Sequence, residues 1–303
     1  MKVLISGALG HIGSFLIREL PKTNNFKKIY IVDNFESLRF SSLFDLPNYN
    51  YKFINKDLSI EDFTADTVDL VLHFAAKTDA TSSFNNAKEF KKNKKITSKL
   101  IKYCNLNKAK FVFASTTSVY GTQNKIVDEN CSLKDLKPQS PYATVKLDEE
   151  KLIKKEMKTK NYIILRLGTI YGYSIGMRFH TAVNKFCFQA SSNIPITIWK
   201  TALNQKRPYL SIYDLNRSID FIIKNNLFDG EIYNILTNNH TVKHIVNLIS
   251  NFKKINKIFV NSPIMNQLSY EVSSKKFTSK GFKFKGSLER EVKKIMKILN
   301  KIS

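Results

Sequence analysis

The chain has 303 residues, of which 43% are apolar, and it carries a formal net charge of +24. This length can bury a large core, in one domain or in a main domain with a smaller lobe. No apolar run approaches the roughly 20 residues of a membrane span, and the chain enters a predicted strand directly, without the pattern of a signal peptide. Three widely spaced cysteines, Cys104, Cys131 and Cys187, predict neither a disulfide framework nor a zinc site, so we expect a cytoplasmic protein.

The positive charge raises the possibility of a nucleic-acid partner. Only seven of the 49 basic residues are arginine, however, and the lysines are scattered along predicted helices. Asparagine is abundant as well, which indicates an amino-acid bias across the whole chain. The pattern therefore favours a solvated basic surface over an RNA-binding face, and such a surface would still attract an anionic substrate.

The N-terminal segment predicts a nucleotide-binding loop. Residues 2–6 form an apolar strand that runs into Gly7-Ala8-Leu9-Gly10-His11-Ile12-Gly13, and an apolar-periodic helix follows as far as Pro21. A glycine turn between a strand and a helix lets the backbone approach a pyrophosphate, which the free N–H groups and the helix dipole attract. The spacing is G-x-x-G-x-x-G, which differs from the G-x-G-x-x-G of ordinary dehydrogenases.

A second predicted strand, residues 28–33, ends in Asp33, 20 residues beyond the last glycine. A carboxylate at this place hydrogen-bonds the ribose hydroxyls of NAD and repels the 2′-phosphate of NADP. The next strand leads to Asp57, near the expected place of the adenine. The sequence therefore predicts NAD as the cofactor.

Two further buried strands complete the predicted cleft. Residues 69–76 are continuously apolar, as in a parallel sheet covered on both faces, and we interpret His73 among them as a packed, hydrogen-bonded core residue. A predicted helix over residues 87–105 places Asn93 and Thr97 one turn apart, where they could line the cleft. The strand 111–116 then delivers hydroxyl groups to the edge where open α/β sheets bind ligands.

Tyr142 and Lys146 lie one turn apart if residues 142–157 are helical. A lysine ammonium at that distance favours the phenolate and would lower the pKa of Tyr142 toward neutrality, as a general base requires. Thr116 could hold the substrate oxygen whose proton Tyr142 removes. Taken alone, the Tyr-x-x-x-Lys spacing is more typical of a surface helix than of a catalytic pair.

These motifs, with HFAA at 73–76, STTSVYG at 115–121 and LRLGTIYG at 165–172, occur in one order along the chain. In order and spacing the chain resembles the extended short-chain dehydrogenases, the NAD-dependent epimerase/dehydratase family that acts on nucleotide sugars. The resemblance covers nearly the whole chain. It implies an α/β fold, with a Rossmann-type doubly wound parallel sheet and a smaller C-terminal substrate-binding lobe.

The resemblance also implies roles for individual residues. The catalytic residues would be Thr116, Tyr142 and Lys146. The NAD-binding residues would be Gly7, Gly10, His11, Ile12, Gly13, Asp33, Asn34, Asp57, Leu58, Phe74, Ala75, Ala76, Asn93, Ser115, Tyr142 and Lys146. The residues that contact the nucleotide-diphosphate sugar would be Thr117, Thr169, Arg178, His180 and Arg207, and no metal is implied.

The same resemblance helps to choose among reactions. A 4,6-dehydratase would carry an Asp-Glu pair directly after Thr116, and a decarboxylase a Glu at position 118, whereas this chain has Thr117 and Ser118. The leading hypothesis is an NAD-dependent nucleotide-sugar epimerase, with C4 as the carbon. The alternatives are a nucleotide-keto-sugar reductase and, from a different class, a non-catalytic nucleotide- or RNA-binding relative.

The C-terminal half departs from the family at several positions. Thr169 stands where relatives usually carry a substrate-binding asparagine, and Pro208 follows Arg207 in place of an aspartate. Arg178 fits a substrate phosphate, and His180 fits a substrate contact or an ordinary first-turn residue about equally well.

We expect an NAD-binding domain over 1–172 and 209–236, and a substrate-binding lobe over 173–208 and 237–303. Asp214 and Thr241 are predicted to cap the helices that follow them. Members of the family commonly dimerise through the helices that here span about 87–105 and 142–157, so we expect a homodimer.

Overall fold

The computed structural model describes residues 1–64, 66–80, 82–123, 125–261 and 270–300. The strands are β1 (Lys2–Ser6), β2 (Lys28–Asp33), β3 (Tyr51–Asn55), β4 (Leu70–His73), β5 (Lys110–Thr116), β6 (Tyr162–Leu167), β7 (Thr169–Tyr171), β8 (Ile196–Trp199), β9 (Lys206–Ser211), β10 (Ile232–Ile235), β11 (Asn238–Thr241) and β12 (Lys257–Val260). The α-helices are α1 (His11–Glu19), α2 (Ala87–Asn107), α3 (Pro141–Glu156), α4 (Ala182–Ser191), α5 (Ile212–Lys224), α6 (Val242–Ser250), α7 (Lys275–Thr278) and α8 (Leu288–Leu299).

Seven strands form one parallel sheet in the order β10-β6-β5-β4-β1-β2-β3. The direction of strand progression reverses between β1 and β4, and such a reversal opens a crevice at the carboxyl ends of the strands. The predicted Rossmann-type sheet is therefore confirmed. Both the glycine loop after β1 and the small residues after β4 lie at this reversal.

The sheet is covered on both faces, which explains why its strands are continuously apolar. Alternate residues of a strand point to opposite faces: Val3 and Ile5 of β1 pack with residues of α1 and α5, whereas Leu4 packs with residues of α2 and α3. A third core joins α4, α6 and α8 with β8 and β9. Two small sheets, β11-β9-β7 and β12-β8, lie in the same part of the chain.

The predicted boundaries between domain and lobe stay a prediction. Residues 262–269 and 301–303 of the predicted lobe lie outside the described residues. Phe277 and Phe282, which the prediction placed in the lobe, pack into the core of the large sheet beside α1 and α5. Among the described residues, no helix is both long enough and apolar enough to cross a membrane.

One predicted helix cap is confirmed and one is wrong. The side chain of Thr241 accepts a hydrogen bond from the backbone N–H of His244 at the start of α6. Helix α5 instead begins after Ser211, whose hydroxyl accepts from the N–H of Tyr213. Asp214 lies inside the first turn, fully buried, where its carboxylate accepts from the N–H groups of Lys285 and Gly286.

Candidate active site

The glycine loop is shaped by close backbone contacts. Gly7 has φ +68°, and a Cβ atom there would lie 2.6 Å from the backbone nitrogen of Ala75. A Cβ atom on Gly13 would lie 2.4 Å from the carbonyl oxygen of Gly7. Only glycine fits at these two positions, because a side chain would push α1 or the segment after β4 away from the loop. The first amides of α1 are thereby held at the edge of the crevice.

Asp33 anchors the loop from the end of β2. Its two carboxylate oxygens accept hydrogen bonds from the N–H groups of Leu9, at 3.0 Å, and Phe35, at 3.1 Å. A carboxylate has about four lone-pair sites, so acceptor capacity remains for ribose hydroxyls. Asp33 therefore holds the glycine loop and still faces the crevice.

Most of the predicted cofactor residues line one continuous cleft above this edge of the sheet. They are Gly7, Gly10, Asp33, Asn34, Asp57, Leu58, Phe74, Ala75, Ala76 and Asn93. The amide side chain of Asn93 is bonded in both directions to the backbone of Lys77, at 2.9 and 3.0 Å, so Asn93 shapes the wall of the cleft. Arg178 and His180, which the sequence predicted as substrate contacts, also line this cleft.

His11 and Ile12 begin helix α1 behind the loop. The Nδ1 atom of His11 lies 2.7 Å from the hydroxyl of Ser174, and its buried Nε2 atom has no hydrogen-bond partner among the described residues. Burial and the nearby positive charge of Arg178 lower the pKa of His11 to about 3, so the ring is neutral. Ile12 packs against the apolar core.

These features fit a dinucleotide. The cradle formed by Gly7 and Gly13 would be filled by any side chain. The amides of α1, the unpartnered Nε2 of His11 and the guanidinium of Arg178 suit a pyrophosphate, since donors and positive charge meet there. Asp33 suits a ribose without a 2′-phosphate.

The mouth of the cleft carries an ion cluster that the sequence patterns did not indicate. The ammonium of Lys77, after β4, lies 2.6 Å from the carboxylate of Glu36, after β2, and 2.8 Å from that of Glu89 on α2. These contacts connect three separate segments around the cleft. No local motif marks them, because the residues are far apart in sequence.

Thr116, Tyr142 and Lys146 are brought together beside the cleft. Thr116 ends β5, and Tyr142 lies in the first turn of α3, which begins at Pro141 after the cap Ser140. A hydrogen bond connects Thr116 with the phenol of Tyr142. Lys146, one turn further along α3, is only 3% exposed, and its ammonium lies 4.5 Å from the ring centre of Phe113.

The electrostatics of Tyr142 differ from the prediction. Burial raises the pKa of the phenol, and the carboxylate of Glu149 raises it further. The hydrogen bond with Thr116 and the charge of Arg178 act in the opposite direction but do not outweigh these effects. The expectation that Lys146 lowers the pKa of Tyr142 toward neutrality is therefore wrong for the protein without a bound ligand. The spacing of two residues along a helix reveals neither the burial of the phenol nor the nearby carboxylate of Glu149.

Ser115, a predicted cofactor residue, is buried and hydrogen-bonded to α3. Its hydroxyl donates to the carboxylate of Glu150, which also forms a buried ion pair with Arg166 at 2.7 Å. The end of β5 is thereby tied to α3 and β6. Ser115 helps to hold the end of β5 in place.

The remaining predicted substrate residues are Thr117, directly after β5, Thr169 and Arg207. Thr117 donates to the carbonyl of Leu167 at 3.3 Å, and its hydroxyl lies 3.4 Å from that of Tyr270. Thr169 lies in β7, and Arg207 lies in β9 opposite a residue of β11. Tyr270 is 6% exposed and influences Tyr142, yet nothing in the sequence pattern marked it.

Comparisons with known proteins agree with this architecture. The sequence model of the NAD dependent epimerase/dehydratase family matches residues 3–235. A Bacillus subtilis protein described as an uncharacterized UDP-glucose epimerase, YtcB, is 33% identical over 78% of this chain and 76% of its own length. A dTDP-D-glucose 4,6-dehydratase of Dictyostelium discoideum is 29% identical over 82% of this chain, which spans 62% of that relative.

Among solved structures, the fold is similar to that of the UDP-glucuronic acid 4-epimerase of Bacillus cereus in complex with UDP-glucuronic acid and NAD. The TM-score is 0.86 at 24% identity, and the alignment covers 100% of both chains. The family match spans the glycine loop, Asp33, the Tyr142–Lys146 helix and the parallel sheet as far as β10. The chain belongs to the NAD-dependent epimerase/dehydratase family.

Proposed function

We propose that the chain is an NAD-dependent nucleotide-sugar epimerase that acts at C4 of the sugar. The observation that carries the proposal is the contact of Thr116 with the phenol of Tyr142 beside the dinucleotide cleft. The two positions after Thr116 are Thr117 and Ser118, which supply no carboxylate for the removal of water. Relatives described as dehydratases are among the matches, and this difference supports epimerisation over dehydration.

In this mechanism Thr116 holds the hydroxyl oxygen on the reacting carbon, and Tyr142 removes its proton. Bound NAD would supply the redox chemistry, a reversible hydride transfer at that carbon with return to the opposite face. The carbon–hydrogen bond breaks with its electron pair while the carbonyl forms, and Tyr142 returns the proton when the hydride comes back. Lys146 holds positive charge behind the phenolate throughout.

The nucleotide diphosphate is proposed to lie on the lobe side of the sheet, near Thr117, Thr169 and Arg207. The planar guanidinium of Arg207 suits a diphosphate. Arg178 and His180 line the dinucleotide cleft, so we propose that they act where cofactor and substrate phosphates approach each other.

The test is turnover of UDP-glucose and UDP-glucuronic acid with NAD in catalytic amount, followed by proton NMR. We expect the C4 epimer to form without net reduction of NAD, and deuterium placed at C4 to remain in the product. Tyr142→Phe should abolish turnover but leave NAD binding intact. Stoichiometric consumption of NADH with a keto-sugar would indicate the reductase, and loss of water would indicate a dehydratase. NAD binding without turnover of either sugar would contradict the proposal.

We also propose a cytoplasmic homodimer. Cys104, Cys131 and Cys187 are free thiols, as in a reducing compartment. A groove between α2 and α3, with Val145 and Leu152 in its lining, is the proposed dimer contact. Sedimentation equilibrium tests the second part of this proposal, and a monomer at micromolar concentration would contradict it.

A further inference from the structure

A buried polar network extends from Lys146 away from the cleft. The carboxylate of Glu149, which is fully buried, lies 3.2 Å from the ammonium of Lys146. Its other oxygen accepts a hydrogen bond of 2.5 Å from the hydroxyl of Thr97 on α2. The Nε2 atom of His73 lies 3.0 Å from the same hydroxyl, and its Nδ1 atom lies 2.7 Å from Ser6.

This network differs from the other buried ion pair of α3. Glu150, the neighbouring residue, faces β5 and β6 and pairs with Arg166, away from Lys146. Glu149 is the carboxylate that meets Lys146. A buried ion of this kind persists only when it is paired and hydrogen-bonded, and Thr97 and Lys146 meet both conditions.

We propose that Glu149 is a positioning residue, the buried counter-ion that fixes Lys146 and sets how readily Tyr142 releases its proton. The proposal rests on the proposed function, in which Tyr142 is the base. A carboxylate beside the lysine offsets the positive charge that would otherwise favour the phenolate.

Several other groups also act on the phenol of Tyr142. Thr116 hydrogen-bonds the phenol from β5, Arg178 adds positive charge from the segment after β7, and Tyr270 adds a further phenol from beyond β12. On the far side of Lys146, His73 is held neutral, because burial and the charge of Lys146 keep its pKa well below the ordinary value. Glu149 is the carboxylate whose charge raises the pKa of Tyr142.

The consequence is a base that depends on the charge of its surroundings. With Glu149 in place, the phenol keeps its proton until a further positive charge, such as an oxidised nicotinamide ring, comes near. Removal of Glu149 leaves the whole charge of Lys146 to favour the phenolate. The pKa of Tyr142 should then fall, by about one pH unit for a single carboxylate nearby.

The test titrates Tyr142 directly in the NAD-free protein, with ¹³C at the ring carbon that carries the hydroxyl of tyrosine. The resonance of Tyr142 is assigned by its absence in Tyr142→Phe. In the unaltered protein we expect it to remain in the protonated position up to pH ~10, the ordinary value for tyrosine. A midpoint below that value would overturn the proposal without any further variant.

Glu149→Gln should lower the midpoint by about one unit, which makes the ionised fraction about tenfold larger at a given pH below it. Glu150→Gln is the matched control, since it removes the adjacent buried carboxylate and should leave the Tyr142 midpoint unchanged. If Glu149→Gln fails to fold, Glu149→Met removes the same charge with an apolar chain of similar length.

An unchanged or higher midpoint in the folded Glu149 variant would overturn the proposal, as would an equal shift in Glu150→Gln. The titration uses no substrate, so its result is independent of whether the chain turns over a nucleotide sugar. Where turnover is observed, the rising limb of the pH–rate profile, which reports the ionisation of the base, should move to lower pH by the same amount in Glu149→Gln. If the role of Glu149 were purely structural, its replacement would change the rate equally at all pH values and would not move the profile along the pH axis.

Discussion

The ion pair of Glu150 and Arg166 offers a direct test of how α3 is held on the sheet. Both side chains are 3% exposed. The Oε2 atom of Glu150 lies 2.7 Å from Nη2 of Arg166, and its Oε1 atom lies 3.0 Å from Nε. The guanidinium also lies 4.9 Å from the ring centre of Tyr120. Glu150→Met removes the carboxylate and leaves the guanidinium buried without its counter-charge.

The magnitude follows from the distance. Two unit charges 2.7 Å apart attract by about 6 kcal/mol at an effective dielectric constant of 20. Part of this attraction only offsets the cost of removing both ions from water, and a buried pair broken on one side typically loses 3–5 kcal/mol. Stacking on Tyr120 continues to stabilise the guanidinium, so we expect Glu150→Met to lower the free energy of unfolding by about 3 kcal/mol.

The assay is urea unfolding of Glu150→Met, Arg166→Met and the double variant, with free energies from linear extrapolation. Each single variant should lose about 3 kcal/mol, and the double variant should lose less than their sum, because no unpaired charge remains buried. Strictly additive losses would show that the pair itself contributes nothing. If both single variants lose less than about 1 kcal/mol in the free energy of unfolding, the buried pair contributes no more than an exposed ion pair does, and the reasoning is refuted.

Two further predictions concern the glycine loop and His11, which begins helix α1 behind it. Gly13→Ala places a Cβ atom 2.4 Å from the carbonyl oxygen of Gly7, so we expect a loss of about 1–3 kcal/mol in stability and no NAD binding by calorimetry. Gly281→Ala is the control, because a Cβ atom at Gly281 would have no neighbouring atom within 4 Å, although the backbone φ there is +98°. This variant should lose stability through backbone strain alone and keep NAD binding. Equal NAD affinity in the two variants would contradict the steric argument. His11 has a pKa of about 3 in the fold against 6.5 when unfolded. The unfolded chain therefore binds the extra proton, and this contribution to stability is complete above pH 6.5 and falls by about 1.4 kcal/mol per unit as the pH drops below it. In His11→Asn, the free energy of unfolding should therefore fall less steeply between pH 6.5 and 5 than in the unaltered protein. Urea unfolding at each pH measures this, and an unchanged slope of unfolding free energy against pH would contradict the prediction.

Local sequence patterns were sufficient for the parts of the molecule that local chemistry determines. The glycine spacing between an apolar strand and a helix predicted the loop at Gly7, because its tight turn and close contacts leave no room for a side chain. The capping role of Thr241 was recoverable for the same reason, since a cap bonds only to the next turn of its own helix. His73 was correctly interpreted as a core residue, and its partners Ser6 and Thr97 explain how its polar atoms are satisfied.

Patterns failed where the deciding partner is distant in the sequence. Asp214 has the composition of a helix cap, but it bonds to the backbone of Lys285 and Gly286, about 70 residues later. Arg178 was expected to contact a phosphate or sugar of the substrate, and the path of the chain after β7 brings it to the dinucleotide cleft, where it donates to Thr78. Neither outcome could be read from neighbouring residues, because each depends on how the lobe returns to the sheet.

The helix period explains how α3 serves two purposes within a single turn. Successive residues of an α-helix point about 100° apart, so Glu149 and Glu150 cannot face the same neighbour. Glu149 faces α2 and Thr97, on the side of Lys146, while Glu150 faces β5 and β6, where Arg166 and Ser115 lie. The carboxylate of Glu149 thus pairs with Lys146, one turn along α3 from Tyr142, and the carboxylate of Glu150 holds the helix to the sheet. Exchanging their roles would require a shift of α3 by one residue, which would also turn Tyr142 away from Thr116.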